Sequence, residues 1–209
     1  MGRKSTDKKR KKLSPKMLLW LKDLLPLVQE MNLKEMSMDE LAKVGKKSKS
    51  TLYEYFVSKE EILGAAVRML LMNLGGYQLS RKKDAEHIIK DLYTLIEWIA
   101  GGVKDISFSL ISQIKEDFPE IWVEVDAYLT GILKELESLY VQGMEVGAFR
   151  KMPVNLLLGL DRYFVMEWIT QQDKSQLSLE RMIHDYVEIR MKGILQEKDK
   201  AVINVSLPQ

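Results

Sequence analysis

Between residues 37 and 59 the sequence concentrates side chains that make hydrogen bonds rather than break covalent ones. Ser37, Lys49, Ser50, Thr51, Tyr53, Glu54, Tyr55 and Lys59 carry hydroxyl, ammonium and carboxylate groups at intervals that short helices set side by side. With Leu52 turned inward, a rotation of about 100° per residue points Ser50 and Glu54 almost straight out. Thr51 and Tyr53 then flank them, and Lys49 stands on the first turn. That outward face is polar and can hydrogen-bond a partner.

Covalent chemistry lacks its usual groups. The chain has no cysteine, which excludes disulfides, thiolate metal sites and a cysteine nucleophile. It has two histidines, His87 and His184, each read as a surface or interface residue. Glu180 and Glu188 stand four residues from His184, whereas a di-iron bundle needs two Glu-x-x-His elements. No glycine-rich phosphate loop or nucleophile elbow occurs. We therefore expect no catalysis, no cofactor and no metal site.

Charge divides the 209 residues into two unlike parts. Residues 1–83 hold 19 basic and 9 acidic side chains, a balance of +10, and residues 84–209 carry −8. A basic first part suits a polyanion, and an acidic second part would be repelled by one. No stretch approaches the ~20 apolar residues of a membrane helix, and the run Met17 to Leu25 is interrupted by Lys22 and Asp23. The expectation is a cytoplasmic protein without a signal peptide or a span.

The elements that must position the polar face are helices. Residues 1–13 read as a disordered basic arm, too charged to pack. Ser14-Pro15 supplies an N-cap with proline at the first helical position, and Met17, Leu18, Leu21, Leu24, Leu25 and Val28 follow at helical spacing. Pro26 should bend or interrupt this helix. Asn32 is expected as its left-handed stop. Ser37-Met38-Asp39-Glu40 is a capping box for a second helix ending near Gly45. Ser48 opens a third, through Phe56, and Ser58-Lys59-Glu60-Glu61 opens a fourth. Longer helices are expected over 85–100, 104–116, 120–144, 154–171 and 178–196, with Gly101-Gly102 as one separator.

Two short helices joined at Gly45 to Lys47 describe a helix-turn-helix, whose first helix braces the backbone while the second enters the major groove of DNA. The segment from Leu41-Ala42 through Ser48-Lys49-Ser50-Thr51-Leu52-Tyr53-Glu54-Tyr55-Phe56-Val57-Ser58-Lys59-Glu60 closely resembles the DNA-binding segment of the TetR family. The resemblance covers roughly residues 15–70. It implies that Ser37, Tyr53, Tyr55 and Lys59 touch phosphates and that Lys49, Ser50 and Thr51 lie against base edges. Lys59, at a helix N-terminus, stands where free amides already favour a phosphate. For the two tyrosines, packing against the core is the other reading.

Three positions depart from the family pattern. Lys46 stands where a turn glycine is usual, so Gly45 would take over the tight turn. Lys47 replaces an apolar residue. Glu54 stands where histidine is common and must accept from a cytosine amino group or pair with Lys49 or Lys47. The basic arm either reaches an adjacent minor groove or remains a solvated tail.

The resulting expectation is an all-α chain of about nine helices. A three-helix helix-turn-helix domain (14–60) leads through a linking helix (61–83) into a larger ligand-binding and dimerisation domain (84–209). A short recognition helix reads few bases, so a homodimer is required to span a near-palindromic double-stranded site. Leu157, Asp161, Val165 and Trp168 on one helix, with Met182, Ile183, Tyr186 and Ile189 on the next, are the candidate interface; the alternative is that they close the monomer's own core. Phe108, Ile111, Trp122, Tyr128, Met144, Tyr163 and Met166 are candidate contacts for a small, largely apolar effector, with core packing explaining them equally well. Such a chain would be a repressor released from its site by that effector. The rival is a helical adaptor or membrane-surface protein with no preference among duplex sequences.

Overall fold

Ser14 and Pro15 start the first helix as their order dictates. The Ser14 hydroxyl accepts the Met17 amide at 3.2 Å, and Pro15 sits where a backbone N–H would have no partner anyway. The computed structural model describes residues 10–103, 106–171 and 179–196; side chains at 100, 103, 108, 165–171, 179, 180 and 183 lie outside that description. Among the described residues nine helices follow one another: α1 (Pro15–Val28), α2 (Met38–Val44), α3 (Lys49–Tyr55), α4 (Lys59–Leu74), α5 (Ala85–Val103), α6 (Phe108–Asp117), α7 (Pro119–Glu145), α8 (Val154–Gln171) and α9 (Leu179–Ile194). An isolated bridge joins Phe149 to Leu195. The chain is all-α, as its periodicity predicts.

Three local expectations fail, each for a physical reason. Pro26 lies in the last turn of α1, so only the bond to the Lys22 carbonyl is lost and the helix runs on to Val28. Asn32 is not left-handed: among described non-glycine residues only Lys46 and Arg81 have positive φ. Its Oδ1 instead accepts the Glu35 amide at 3.2 Å and organises the turn into α2. Gly101 and Gly102 do not separate helices; both lie inside α5. A Cβ on Gly102 would come within 1.8 Å of the Leu74 side chain, so glycine lets α5 approach the end of α4.

The hydrophobic residues form two cores. The first gathers Leu21, Leu24, Leu41, Leu52, Phe56, Ile62 and their neighbours on α1–α4, together with Leu110 and Ile114 of α6 and Phe118 and Ile121 at the α6–α7 corner. The second joins α5, the distal half of α7, α8 and α9 around Leu92, Tyr140, Phe149, Leu157 and Met191. Thus α6 packs on α7 and α8 and, through Leu110 and Ile114, on the core of α1–α4 rather than on α5, which precedes it.

A buried ionic cluster pins the second core. Asp161 accepts from the Tyr140 hydroxyl (2.7 Å), the Tyr186 hydroxyl (2.5 Å) and Arg190 Nε (3.0 Å), and Arg190 also donates to the Leu157 carbonyl at 3.1 Å. These bonds tie α7, α8 and α9 together. Burial, reinforced by the Asp161 charge, pushes both tyrosine hydroxyls above their ordinary range. Burial likewise pushes Tyr93 and Tyr128 up to about 12.

Two outcomes follow from this cluster. Asp161→Ala leaves the Arg190 charge uncompensated in the interior and should lower unfolding free energy by about 3–5 kcal/mol in urea titration. Because the tyrosines ionise more easily unfolded than folded, their contribution is complete below their unfolded pKa of about 10 and falls as pH rises beyond it. Urea midpoints should therefore decline on the alkaline side of that value.

Candidate nucleic-acid interface

The turn between α2 and α3 is set by a tryptophan. Trp20 of α1 lies over Gly45 and donates its indole N–H to the Gly45 carbonyl at 2.6 Å. A Cβ on Gly45 would stand 2.6 Å from the Trp20 ring, so this position must be glycine for reasons of space. Its φ is −77°, an ordinary value. The left-handed residue is Lys46, at φ 52°. Around it the Lys47 amide reaches the Ala42 carbonyl (2.8 Å) and the Lys46 amide the Lys43 carbonyl (3.2 Å), the pattern of a Schellman stop. Gly45 therefore does not take over the turn: steric demand and backbone demand fall on neighbouring residues, and lysine bears the strained one.

The two short helices are well capped at their starts. Ser37 closes its box with Glu40, its hydroxyl accepting the Glu40 amide (3.3 Å) while Glu40 Oε2 accepts the Ser37 amide (2.8 Å). The backbone bond to Ser37 holds the Glu40 carboxyl below its usual range. Ser48 caps α3 by accepting the Thr51 amide at 3.0 Å. Ser58 accepts the Glu61 amide at 3.3 Å, but Glu61 turns back to the Val57 amide, so only half of that box forms.

The predicted face is present, with differing freedom among its members. Ser50 and Tyr53 are exposed. Lys49 leans back to Asp39 at 2.6 Å, and this hydrogen bond raises its pKa. Thr51 is half-buried with its hydroxyl 2.7 Å from that of Ser48. Tyr55 is half-buried against the first core and tilted over Phe56 at a ring separation of 6.3 Å. Lys59 is half-buried: it donates to the carbonyls of Leu33 (2.9 Å) and Lys34 and clasps the α1–α2 connection to α4.

Glu54 pairs with neither Lys49 nor Lys47. Its partner is Lys11, at 2.7 Å, and the hydrogen bond and charge of Glu54 raise the Lys11 pKa. The Lys11 amide also donates to the Glu54 carbonyl at 2.9 Å, and Arg10 donates to the Tyr53 carbonyl. The described end of the basic arm is thus laid against the C-terminal end of α3. Sequence reasoning missed both Trp20 and this contact. Trp20 carried a signal, its spacing from Met17 and Leu24, whereas nothing local pointed Lys11 at Glu54.

Helix α6 is strapped to the same unit. Gln113 accepts the Leu33 amide (2.7 Å) and donates to the Met31 carbonyl (3.0 Å). The Ser107 amide donates to Gln29 Oε1 at 2.9 Å, and Lys34 pairs with Asp117 at 2.7 Å. Between α1, α4, α5 and α6 lies a cavity of about 530 Å³, its apolar wall formed by Leu25, Pro26, Leu70, Leu74, Trp98 and Leu110.

Among the described side chains, none of the predicted effector contacts lines that cavity. Ile111 is half-buried on α6 and Trp122 packs on the first core. Tyr128 and Met144 pack on the second, Tyr128 bonding the Leu74 carbonyl at 2.8 Å. Tyr163 is exposed, and the side chains of Phe108 and Met166 lie outside the described residues. The predicted interface residues also separate. Leu157 and Asp161 are buried in the chain's own core, so they present no surface to a second copy. Tyr186 bonds Asp161 and stacks on Phe164, with ring centroids 3.9 Å apart, and Met182 is half-buried. Ile189 is 71% exposed, while the side chains of Val165, Trp168 and Ile183 lie outside the described residues. The outward apolar face of α8 is Leu156, Leu160 and Tyr163, one position out of register with the prediction. On α9, His184, Asp185 and Glu188 bring ligand atoms within 4.8 Å of one another, but Arg181 and Lys192 already hold the two carboxylates.

No protein-family model and no curated protein matches the sequence. Solved structures do match the fold. A TetR-family transcriptional regulator, PfmR from Thermus thermophilus, superposes with a TM-score of 0.67 at 22% identity, covering 85% of this chain and 99% of its own. A transcriptional regulator from Saccharomonospora viridis in complex with choline gives 0.69 at 17% identity, over 88% and 100%. The ketosteroid transcriptional regulator KstR2 of Mycobacterium tuberculosis gives 0.63 at 17%, over 86% and 95%. The chain therefore has the TetR fold over most of its length.

The turn itself yields opposed outcomes at adjacent positions. Gly45→Ala should displace Trp20 and destabilise the protein by about 1–3 kcal/mol, whereas Lys46→Gly should stabilise it by up to about 1 kcal/mol by relieving positive φ. Urea midpoints of the two variants, moving in opposite directions, would check the assignment of the left-handed residue.

Proposed function

We propose that this chain is a dimeric transcriptional repressor of the TetR type, which holds a near-palindromic DNA site through α3 and leaves it when a small, largely apolar effector binds. The observation that carries the reading is the helix-turn-helix. Helix α3 is braced from behind by Leu52 and Phe56 and presents Lys49, Ser50 and Tyr53 outward from a fold shared with transcriptional regulators. Ser50 has a free hydroxyl for a base edge, Tyr53 suits a phosphate, and Lys49 can exchange Asp39 for either. Lys59 is reassigned from phosphate contact to bracing.

The effector site we favour is the cavity between α1, α4, α5 and α6, because it sets the first core, through Leu25, Ala66 and Leu110, against Trp98 of α5. A ligand wedged there would move α6, and the Gln113 and Ser107 bonds would carry the helix-turn-helix with it. Two recognition helices of a dimer would then lose the spacing that fits DNA. The outward stripe Leu156, Leu160 and Tyr163, with Ile189 of α9, is the proposed dimer surface. The reading assigns no catalytic step and no cofactor, and it places the protein in the cytoplasm. No helix of the described residues is long and apolar enough to cross a membrane.

Selection of bound sequences from a random duplex pool at ~0.15 M salt, where phosphate attraction alone is weakened, tests the proposal. A near-palindrome with half-sites about one helical turn or more apart is expected. Ser50→Ala should then change base preference by about 1–3 kcal/mol at one position, and Tyr53→Phe should weaken binding to every duplex alike. Folded protein that enriches no sequence, yet binds anionic liposomes, would overturn the reading in favour of a membrane-surface protein.

A further inference from the structure

Helix α3 has only seven residues, no basic residue in its last turn and Phe56 rather than glycine at its C-cap. Its final carbonyls form the negative end of the helix dipole and have no intrahelical partner. Phe56 satisfies Leu52. Tyr53 and Glu54 are served from elsewhere: Arg10 donates to the Tyr53 carbonyl, the Lys11 amide donates to the Glu54 carbonyl, and the Lys11 ammonium closes on the Glu54 carboxylate. Three contacts, from two consecutive residues, meet the last turn of one short helix.

Resting on the reading of α3 as the element that contacts DNA, we propose that Arg10 and Lys11 are the C-terminal cap of that helix and that Glu54 is the positioning residue that holds them there. The basic arm is then part of the recognition element rather than a loose polycation. Glu54, on this account, does not read cytosine; its carboxylate is committed to the arm. Placing Arg10 and Lys11 at the end of α3 also fixes where the arm's positive charge meets the duplex, which extends the footprint beyond the groove that α3 occupies.

A cap and a polycation predict different outcomes. Loss of cations alone weakens specific and non-specific binding in step, because both draw on phosphate neutralisation. Loss of a cap lowers the fraction of protein whose recognition helix is fully formed, and this penalises the specific complex selectively. The experiment compares Arg10→Gln/Lys11→Gln with Lys12→Gln/Lys16→Gln, an equal loss of charge from exposed neighbours, in the full chain. Hydrogen exchange of the Tyr55 and Phe56 amides in the free protein should accelerate about two- to fivefold in the first variant and stay unchanged in the second. The ratio of specific to non-specific affinity should fall by a similar factor only in the first. Glu54→Gln should lower the ratio without altering the selected base sequence and should add nothing in the Arg10→Gln/Lys11→Gln background.

Unchanged amide exchange in Arg10→Gln/Lys11→Gln would overturn the cap. A changed base preference in Glu54→Gln would overturn the positioning role and return Glu54 to base reading. The exchange measurement needs no DNA, so it separates failure of the cap from failure of the DNA-binding reading.

Discussion

Helices of seven residues do not persist alone in water, because nucleation fixes several residues before the first hydrogen bond is gained. Both α2 and α3 are of this length, so their existence depends on what holds their ends and backs. Serines cap the starts, and Leu41, Leu52 and Phe56 bury the backs. Trp20 fills the angle between them over a residue that cannot carry a side chain. Lys59 closes the unit from α4 by satisfying two carbonyls of the connection before α2. The outward face of α3 can be polar because its hydrophobic support, Leu52 and Phe56, lies on the opposite face.

The same bracing makes the unit a rigid body that another element can move. Gln113 and Ser107 of the α6 region bond loop and end groups of α1 rather than the short helices themselves. A shift of α6 would therefore carry the unit without unfolding it. The second core is held separately by the Asp161–Arg190 cluster, whose removal from water is compensated by two tyrosine hydroxyls.

What the sequence reveals follows the range of the interactions involved. Helix starts are legible because a serine and the amide three residues on are local, and the starts at Ser14, Ser37, Ser48 and Ser58 stand where the pattern puts them. Which of Gly45 and Lys46 turns left-handed is not legible, since the answer lies in Trp20, 25 residues away. The inward face of α8 is equally hidden. Leu156, Leu160 and Tyr163 form one apolar stripe and Leu157 with Phe164 another, so periodicity gives two solutions one residue apart. Only the partners Tyr140 and Arg190, waiting for Asp161, decide which stripe turns in. For the effector contacts the aromatic residues gave a composition but no address, and the cavity lies elsewhere, between the first core and Trp98 of α5.

Partner geometry also decides which lysines remain available to an anionic ligand. Lys49 and Lys11 are engaged by carboxylates while their side chains stay 48% and 61% exposed. Exposed pairs of this kind contribute about 0–1 kcal/mol, so a phosphate or a guanine edge can replace Asp39 at Lys49 with little loss. Lys59 has two backbone carbonyls as partners, and leaving them would strip both acceptors at once from the connection they organise. Lys11 differs again, because Glu54 engages it twice, the carboxylate holding the ammonium and the carbonyl accepting the backbone amide. On the proposed reading, net positive charge marks the region that would meet a polyanion, but the strength of each lysine's present partner sets which of those charges can turn toward it.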